Sequence, residues 1–478
     1  MTQHETRVEP RTLKGFQDLL PAGVTPRQAV LRGIEAIFQR HGFAPVETPA
    51  LEGLDVLLGT GGEETNKELF RLQSPEEEPI ALRFDLTVPF ARLMAQYPAE
   101  LKPPFRRYAI GPVWRADKPG PGRFRQFTQC DIDIAGAPSI AADAEIIAIM
   151  AAILDELGVK EYTVLINHRK VIDALLESLG IADEARQKHV LRVIDKLQKV
   201  GLDNVRKELG GGRVDESGDP IRGVGLDEAV IDRILALIAV TGESRASVVA
   251  NLQEHLGGSE RAAQALEDLR ELDAGLSALG VGGEHAQFLP SLARGLDYYT
   301  GPVFEMHLPG APEFGSVMGG GRYDELAARF LDREIPATGM SVGLDRLMAA
   351  LTRLGAAPEA RPHADALIVS LGNVNKADVL AAAQELRKEG VAAEPYLGAK
   401  RGMKHQLSHA DHYGIPVAVI LGEDEIAQGT VAVKDLLAGK REREGIEDRE
   451  AYRQAGKTGQ VTVPRAELVA TVREILAR

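Results

Sequence analysis

At 478 residues the chain is long enough for about three domains and for large hydrophobic cores. A hydrophobic share of 44% and a charged share of 26% are those of an ordinary globular protein, and a net charge of −14 argues against general adhesion to nucleic acid or membrane, though a local basic surface could still grip RNA. A lone cysteine, Cys130, excludes an intrachain disulfide and a Cys-based zinc site; with no apolar signal core and no bilayer-spanning run, the sequence points to a soluble, cytoplasmic protein without membrane contact.

Thr25-Pro26, then Val30, Ile34, Ile37 and Phe38, then Gly42, predict an amphipathic helix capped by Thr25 with Pro26 in its first position. The proline-broken stretch Phe43–Leu51 suits an edge strand. Gly59-Thr60-Gly61-Gly62 lacks the Lys-Ser/Thr of a phosphate loop and precedes Glu63 and Glu64, which would repel phosphate, so it reads as a flexible loop. From Ile80 to Thr87 apolar and polar residues alternate, predicting a strand with Asp85 and Thr87 side by side on its polar face.

Phe105–Gly136 reads as a hairpin turned at Lys118-Pro119-Gly120-Pro121-Gly122. In its second strand Cys130, Ile132 and Ile134 share a face suited to a core, while Arg125, Phe127, Gln129, Asp131 and Asp133 share the other. In the first strand Arg107, Arg115 and Asp117 share a parity, with Trp114 opposite. Between Lys102 and Arg125 stand seven basic residues and one acidic one, against the trend of an acidic chain. Such a face fits a phosphorylated ligand with a cationic end; an exposed, salt-bridged hairpin would show the same pattern. Asp143–Leu157 then gives an apolar helix stopped by Gly158.

From Val171 to Gly282 the spacing turns helical, suggesting a module of about 110 residues without a chemistry-bearing motif. Strand-like sequence returns with ARGLDYYTGPVFEMHL. Adjacent tyrosines on a strand would face opposite sides, leaving at least one for packing. GGGRYD taken alone reads as a turn. In TGMSVGLDRLMAAL, a short strand and helix, Arg346 lies off the apolar stripe in the first helical turn, against the helix dipole. LGAAPEARPH is a linker, after which a β-α-β-α-β pattern predicts a small α/β domain with a largely parallel sheet. Its second helix carries His405, His409 and His412 on one face, which reads as a solvated face; a metal site is conceivable there, but spacing fixes no acidic or cysteine partner for it.

FRRYAIGPVWRAD…GRFRQF resembles motif 2 of the class II aminoacyl-tRNA synthetases, TGMSVGLDRL resembles motif 3, and FAPVETPALE resembles the dimer-forming motif 1. ARGLDYYTGPVFE and GGGRYDEL resemble the signature peptides of the histidyl-tRNA synthetases within subclass IIa, and the match runs in order along essentially the whole chain. The resemblance implies an α+β fold: an antiparallel-sheet catalytic core (1–170 and 283–355) with a helical insertion (171–282), a linker (356–363) and a C-terminal α/β anticodon-binding domain (364–478). It implies activation of L-histidine by ATP, with Mg²⁺ expected, transfer to tRNA(His), and a homodimer. It places Arg115 on the α-phosphate, Arg123 and Arg346 on the distal phosphates, Phe127 on the adenine, and Asp85, Thr87 and Gln129 on the α-amino group. Asp133 and Tyr299 would bond the imidazole, Tyr298, Tyr323 and Gly319–Gly321 would shape its pocket, and Arg294 would reach the α-phosphate and carboxylate. Two departures are mild: Asp117 stands where many class II enzymes have Glu, and Asp85 lies in Phe84-Asp85-Leu86-Thr87 where many bacterial members have Glu-Gly-Thr.

The chemistry suits those residue types. A carboxylate attacking phosphorus is already ionised, so the reaction needs positioning and charge neutralisation, which planar, permanently charged guanidinium groups supply. A rival role for such a chain is a catalytically inactive, synthetase-like regulatory subunit of ATP phosphoribosyltransferase; those usually lack the C-terminal domain and degrade the ARGLDYY stretch, and here both are present.

Overall fold

A computed structural model describes residues 8–58, 66–215, 218–293, 298–400, 402–441 and 459–478. The glycine loop at Gly59–Gly62 and the arginine at position 294 fall outside the described residues. The chain divides into two units, Met1–Pro358 and Glu359–Arg478.

The first unit's strands are β1 (Ala44–Pro45), β2 (Leu51–Gly53), β3 (Arg71–Gln73), β4 (Pro79–Leu82), β5 (Phe105–Trp114), β6 (Gln126–Ala135), β7 (Thr163–His168), β8 (Gly212–Val214), β9 (Pro220–Arg222), β10 (Ala286–Phe288), β11 (Pro302–His307), β12 (Ser316–Arg322) and β13 (Ala337–Gly343). Eight of them form one sheet in the order β1-β5-β6-β13-β12-β11-β7-β10. Its six central strands pair antiparallel, and β1 and β10 join the two edges in parallel. One face is covered by the helix Ala141–Glu156, whose Ile146, Ile147, Ile149, Met150, Ile153 and Leu154 are fully buried. Helices Pro21–Arg40 and Glu260–Ala278 pack against it in turn, which is why it is apolar nearly all round. Cys130, Ile132 and Ile134 of β6 point into this core. The other face, carrying Gln129, Asp131 and Asp133, is buried too.

The helices between β7 and β10 bury Val190, Ile194, Ile231 and Leu272 in the same continuous core as the sheet. His168 at the end of β7 meets Asp268 at 2.9 Å, tying the sheet to the helix Glu260–Ala278.

Local structure departs from the sequence reading in four places. The first helix begins at Pro21, so Pro26 is an interior residue, and the Thr25 hydroxyl bonds back to the Pro21 carbonyl at 2.9 Å instead of capping. Early in a helix a proline forfeits a single backbone bond, and Val30, Ile34 and Phe38 bury enough apolar surface to outweigh that loss. The strand predicted from Ile80 stops at Leu82, and Thr87 opens the helix Thr87–Gln96. Period-two alternation over so few residues cannot distinguish a strand from a strand followed by a helix cap. GGGRYD is no turn: Gly319–Arg322 lie in the middle of the sheet as part of β12. The Tyr298-Tyr299 pair precedes β11 outside any strand, so the alternation argument does not apply to it.

In the second unit β14 (Ala366–Ser370), β15 (Ala393–Pro395), β16 (Val417–Leu421), β17 (Thr430–Asp435) and β18 (Gln460–Pro464) form a sheet in the order β15-β14-β16-β17-β18. The first three are parallel and the last two join antiparallel, so the sheet is mixed, not largely parallel. Each face has its own core, one under the helices Lys376–Lys388 and Leu468–Leu476 and one under the helix Met403–Tyr413.

Candidate active site

The register of β5 and β6 sets the site. Arg107 stands directly opposite Asp133, and Gly111 opposite Gln129. Arg107 is wholly buried: one terminal nitrogen lies 2.5 Å from Asp133 Oδ2 and donates to the Leu86 carbonyl at 3.0 Å, while the guanidinium covers the Phe90 ring at 4.6 Å. The Tyr323 hydroxyl donates to Asp133 Oδ1. Burial raises the Asp133 carboxyl, and Arg107 and the Tyr323 hydroxyl pull it back toward the ionised form. Across the sheet Asp133 faces Gly339, where a Cβ would collide with its carboxylate and with the Ile132 carbonyl. That glycine gives the acid room to lie flat on the sheet.

A cleft of about 250 Å³ lies over this face. Among its lining residues are Asp85, Thr87, Arg115, Arg123, Phe127, Gln129, Asp133, Tyr298, Tyr299, Tyr323 and Arg346, with Gly319 and Gly320; of the site residues expected from the sequence within the described segments, only Gly321 does not line it. Asp85 arrives there as a helix cap, its Oδ1 accepting from the Val88 amide at 3.1 Å, which leaves Oδ2 buried without a partner. Burial pushes the Asp85 carboxyl up to about 6. Tyr298 and Tyr299 both reach the cleft, their rings in edge contact at 4.9 Å, and Tyr298 also meets Tyr323 at 5.9 Å. Burial holds all three phenols in the neutral, hydrogen-bonding form.

The opposite end is cationic. Arg115 is anchored by its Nε, which donates to the Phe84 carbonyl at 3.0 Å, and its guanidinium stands 5.4 Å from the centre of the Phe127 ring. The β5–β6 loop closes with reciprocal backbone bonds between Gly120 and Arg123. Its Gly122 adopts φ +63°, and a Cβ there would come within 3.3 Å of the Arg346 Cα. This close approach brings the loop bearing Arg123 onto the helix Leu344–Leu354 that bears Arg346, whose Nη1 donates to the Ser316 carbonyl at 2.7 Å. Asp345 fixes that helix from the other side: it takes both terminal nitrogens of Arg27, at 2.8 and 3.0 Å, and the Thr128 amide at 2.8 Å. Arg125, of the same parity as Phe127, turns away from the cleft toward Lys14 and Gly15.

Several contributors gave no sequence signal. Arg83 is buried and donates to the carbonyls of Thr48, Pro49 and Pro112, tying the edge segment before β2 to β5. Arg322 of GGGRYD points into the core, pairing with Asp143 and bonding the Ala137 and Ser139 carbonyls at 3.1 and 3.0 Å, so it locks the strand that ends in Tyr323. Period-two alternation could have placed Arg322 off the cleft face, but not its partner. In the second unit, Glu394 takes His409 at 2.8 Å and His363 at 2.7 Å; His405 and His412 stand outside that cluster. Among the described residues no three His, Cys, Asp or Glu side chains converge as metal ligands.

Comparison with known proteins places these features in context. A family model described as "Histidyl-tRNA synthetase" matches residues 15–347, and one described as "Anticodon binding domain" matches 365–475. A protein named "Histidine--tRNA ligase" from Paracoccus denitrificans is 44% identical over 99% of this chain and 98% of its own length, and its namesake from Caulobacter vibrioides is 43% identical over 98% and 97%. The crystal structure of a histidyl-tRNA synthetase from Nostoc sp. PCC 7120 superposes with a TM-score of 0.78 at 31% identity, covering 98% of this chain and all of that one. A Bacillus halodurans structure described as an "ATP phosphoribosyltransferase regulatory subunit/histidyl-tRNA synthetase" shares the fold, with a TM-score of 0.70 at 24% identity over 87% of this chain.

Proposed function

The chain belongs to the histidyl-tRNA synthetase family, and from that premise we propose how its own residues serve the two steps of the reaction. It activates L-histidine with ATP, releasing pyrophosphate, and transfers the histidyl group from the adenylate to tRNA(His). The observation that carries the residue-level reading is a single cleft with two unlike ends: arginines 115, 123 and 346 at one, and the buried Arg107–Asp133–Tyr323 cluster at the other.

At the polar end, Asp133 accepts from an imidazole N–H, and the Tyr299 hydroxyl bonds the second ring nitrogen. An amino acid lacking those groups would leave buried partners unpaired, a penalty far larger than an apolar pocket can impose. Asp85, Thr87 and Gln129 take the α-ammonium. At the cationic end, Phe127 stacks the adenine, Arg115 binds the α-phosphate, and Arg123 and Arg346 draw the departing pyrophosphate into line. Arg294 acts between carboxylate and α-phosphate. In the second step the terminal hydroxyl of tRNA attacks the adenylate carbonyl, the carbonyl–phosphate anhydride bond breaks to release AMP, and a phosphate oxygen of that leaving group takes the proton, so no protein base is required.

Asp117 and Glu305 line the cleft and would hold a Mg²⁺ brought by ATP, which would neutralise phosphate charge there. The C-terminal unit grips the anticodon region, and two copies associate through the segment around β1 and β2, where Leu51 and, on the far strand β3 of the same small sheet, Leu72 are about half exposed. No helix among the described residues is long and apolar enough to cross a membrane, in keeping with a cytoplasmic enzyme.

ATP–pyrophosphate exchange with each of the twenty amino acids tests the reading, with exchange expected for histidine alone. Absence of exchange from folded, ATP-binding protein would overturn it in favour of the regulatory-subunit role.

A further inference from the structure

Asp131 has no part in the reading above, yet it stands on the cleft floor between Gln129 and Asp133, 2% exposed. Its Oδ1 has no hydrogen-bond partner, and among the described residues no cation lies within ion-pairing distance of its carboxylate. Arg107, the nearest candidate, gives one terminal nitrogen to Asp133 and the Leu86 carbonyl, and its Nε and other terminal nitrogen bond nothing, so it acts on Asp131 only through space; Arg83 is spent on three backbone carbonyls. Its cross-strand neighbours are Ala109, which offers nothing polar, and Ser341, whose hydroxyl lies near enough to ease the burial of the carboxyl but leaves Oδ1 without a hydrogen bond. A buried carboxylate with an empty acceptor is unfavourable unless something fills it.

Two further acceptors in the same cleft share that condition, Asp85 Oδ2 and Gln129 Oε1, both on residues nine-tenths buried or more. The Thr87 hydroxyl, by contrast, already faces the Tyr298 hydroxyl. Residues two apart on a strand lie about 6.6 Å apart, a gap that one cation bridges with two charge-assisted bonds of about 2.8 Å each. A primary ammonium carries three N–H donors, and three vacant acceptors belong to residues lining this one cleft. We infer that Asp131 is a substrate-binding residue, completing with Asp85 and Gln129 a three-acceptor seat for the α-ammonium of histidine, with Thr87 bordering that seat through Tyr298 and not taking one of the three N–H groups. The free protein holds this seat against like-charge repulsion: burial, with Asp133 and Asp85 nearby, pushes the Asp131 carboxyl up to about 7 despite the opposing pull of Arg107 and the Ser341 hydroxyl. The shorter Asp85 side chain, tied by its other oxygen to the Val88 amide, makes the additional carboxylate useful.

The inference rests on histidine being the substrate, and two ligands separate its failure from failure of that reading. Histamine has the ring and the ammonium; imidazolepropionate has the ring and the carboxylate. Both are measured as competitors of histidine-dependent exchange in the native protein and in Asp131→Asn, which keeps the side chain's shape and removes its charge. Histamine should bind about 10- to 100-fold more weakly to the variant, imidazolepropionate should change less than about twofold, and the KM for histidine should rise with histamine's Ki. The ligand-free variant should melt at or above the native temperature, because a repelled, unpaired charge is gone. Equal losses for the two competitors, no loss for histamine, or no histamine competition with the native protein would each overturn the inference. A variant that melts lower or fails to fold would make Asp131 a scaffold counter-ion and overturn it too. A native protein without histidine exchange would instead remove the underlying reading.

Discussion

Asp133 is held by Tyr323, by Arg107 and by the absence of a side chain at Gly339, so its geometry is set before any ligand arrives. Asp133→Asn should lower kcat/KM for histidine in pyrophosphate exchange by at least about 100-fold while ATP binding persists; a loss under about fivefold would remove it from ring recognition. The carboxyls of Asp85 and Asp131, pushed up to about 6 and about 7, bind protons more tightly folded than unfolded. Their contribution to stability is therefore complete below the ordinary carboxylate range and is lost as pH rises through about 6 to 7. Ligand-free protein should gain thermal stability from these groups between pH 8 and pH 6, while the KM for histidine rises over the same interval because an ammonium needs ionised partners. Melting curves and exchange kinetics against pH would check both signs, and Asp131→Asn should flatten the first. Alternation placed Asp133 and Arg115 on polar strand faces, whereas Tyr323 came from the motif match alone, since GGGRYD by itself reads as a turn. Arg107 and Asp131 were unreadable for a common reason: a polar strand face looks alike whether water or a binding cleft covers it.

Among the elements, β12 shows why glycine is required in a strand that would otherwise be weakened by it. A Cβ on Gly320 would strike the Gly339 carbonyl and come within 2.7 Å of the Met340 Cα and the Phe304 ring, whereas one on Gly319 would meet nothing closer than 3.5 Å. Gly320→Ala should cost about 1–3 kcal/mol or prevent folding; Gly319→Ala should fold normally and lose activity as its methyl enters the cleft. Urea denaturation alongside exchange rates distinguishes the pair, and equal stability in the two variants would contradict the packing described. GGGRYD as a turn was the natural reading, since nothing local reveals that neighbouring strands press on those glycines from both sides. Likewise the segment from Ile80 to Thr87 looked like a strand because a helix cap and a strand edge both accept alternating residues; the cleft gains Asp85 and Thr87 through the cap.

For the molecule as a whole, two units with separate cores imply separable duties. Residues 1–358 alone should retain histidine-dependent exchange within about tenfold of the full chain and lose most charging of tRNA(His), because the activation cleft lies wholly in the first unit. Aminoacylation and exchange measured on the same preparation would show whether both activities fall together, which would contradict this division. The α+β class and the presence of a terminal α/β unit were legible because helical and strand periodicities change abruptly along the chain. The mixed order of the second sheet was not: β17 and β18 return antiparallel after the β-α-β-α-β pattern has ended, and pairing between distant segments leaves no local trace.

Cys130, the chain's only thiol, lies in β6 with its back to the cleft, flanked by the proposed ammonium ligands Gln129 and Asp131 and fully enclosed by the core. Burial raises its pKa well above the usual thiol range. It is therefore a built-in stopwatch: a thiol-specific dye can reach it only when the sheet beneath the cleft parts, so the labelling rate times those openings. Histidine with ATP should lengthen the interval in proportion to occupancy, and a ligand-independent rate would mean that the strand opens without disturbing the seat above it.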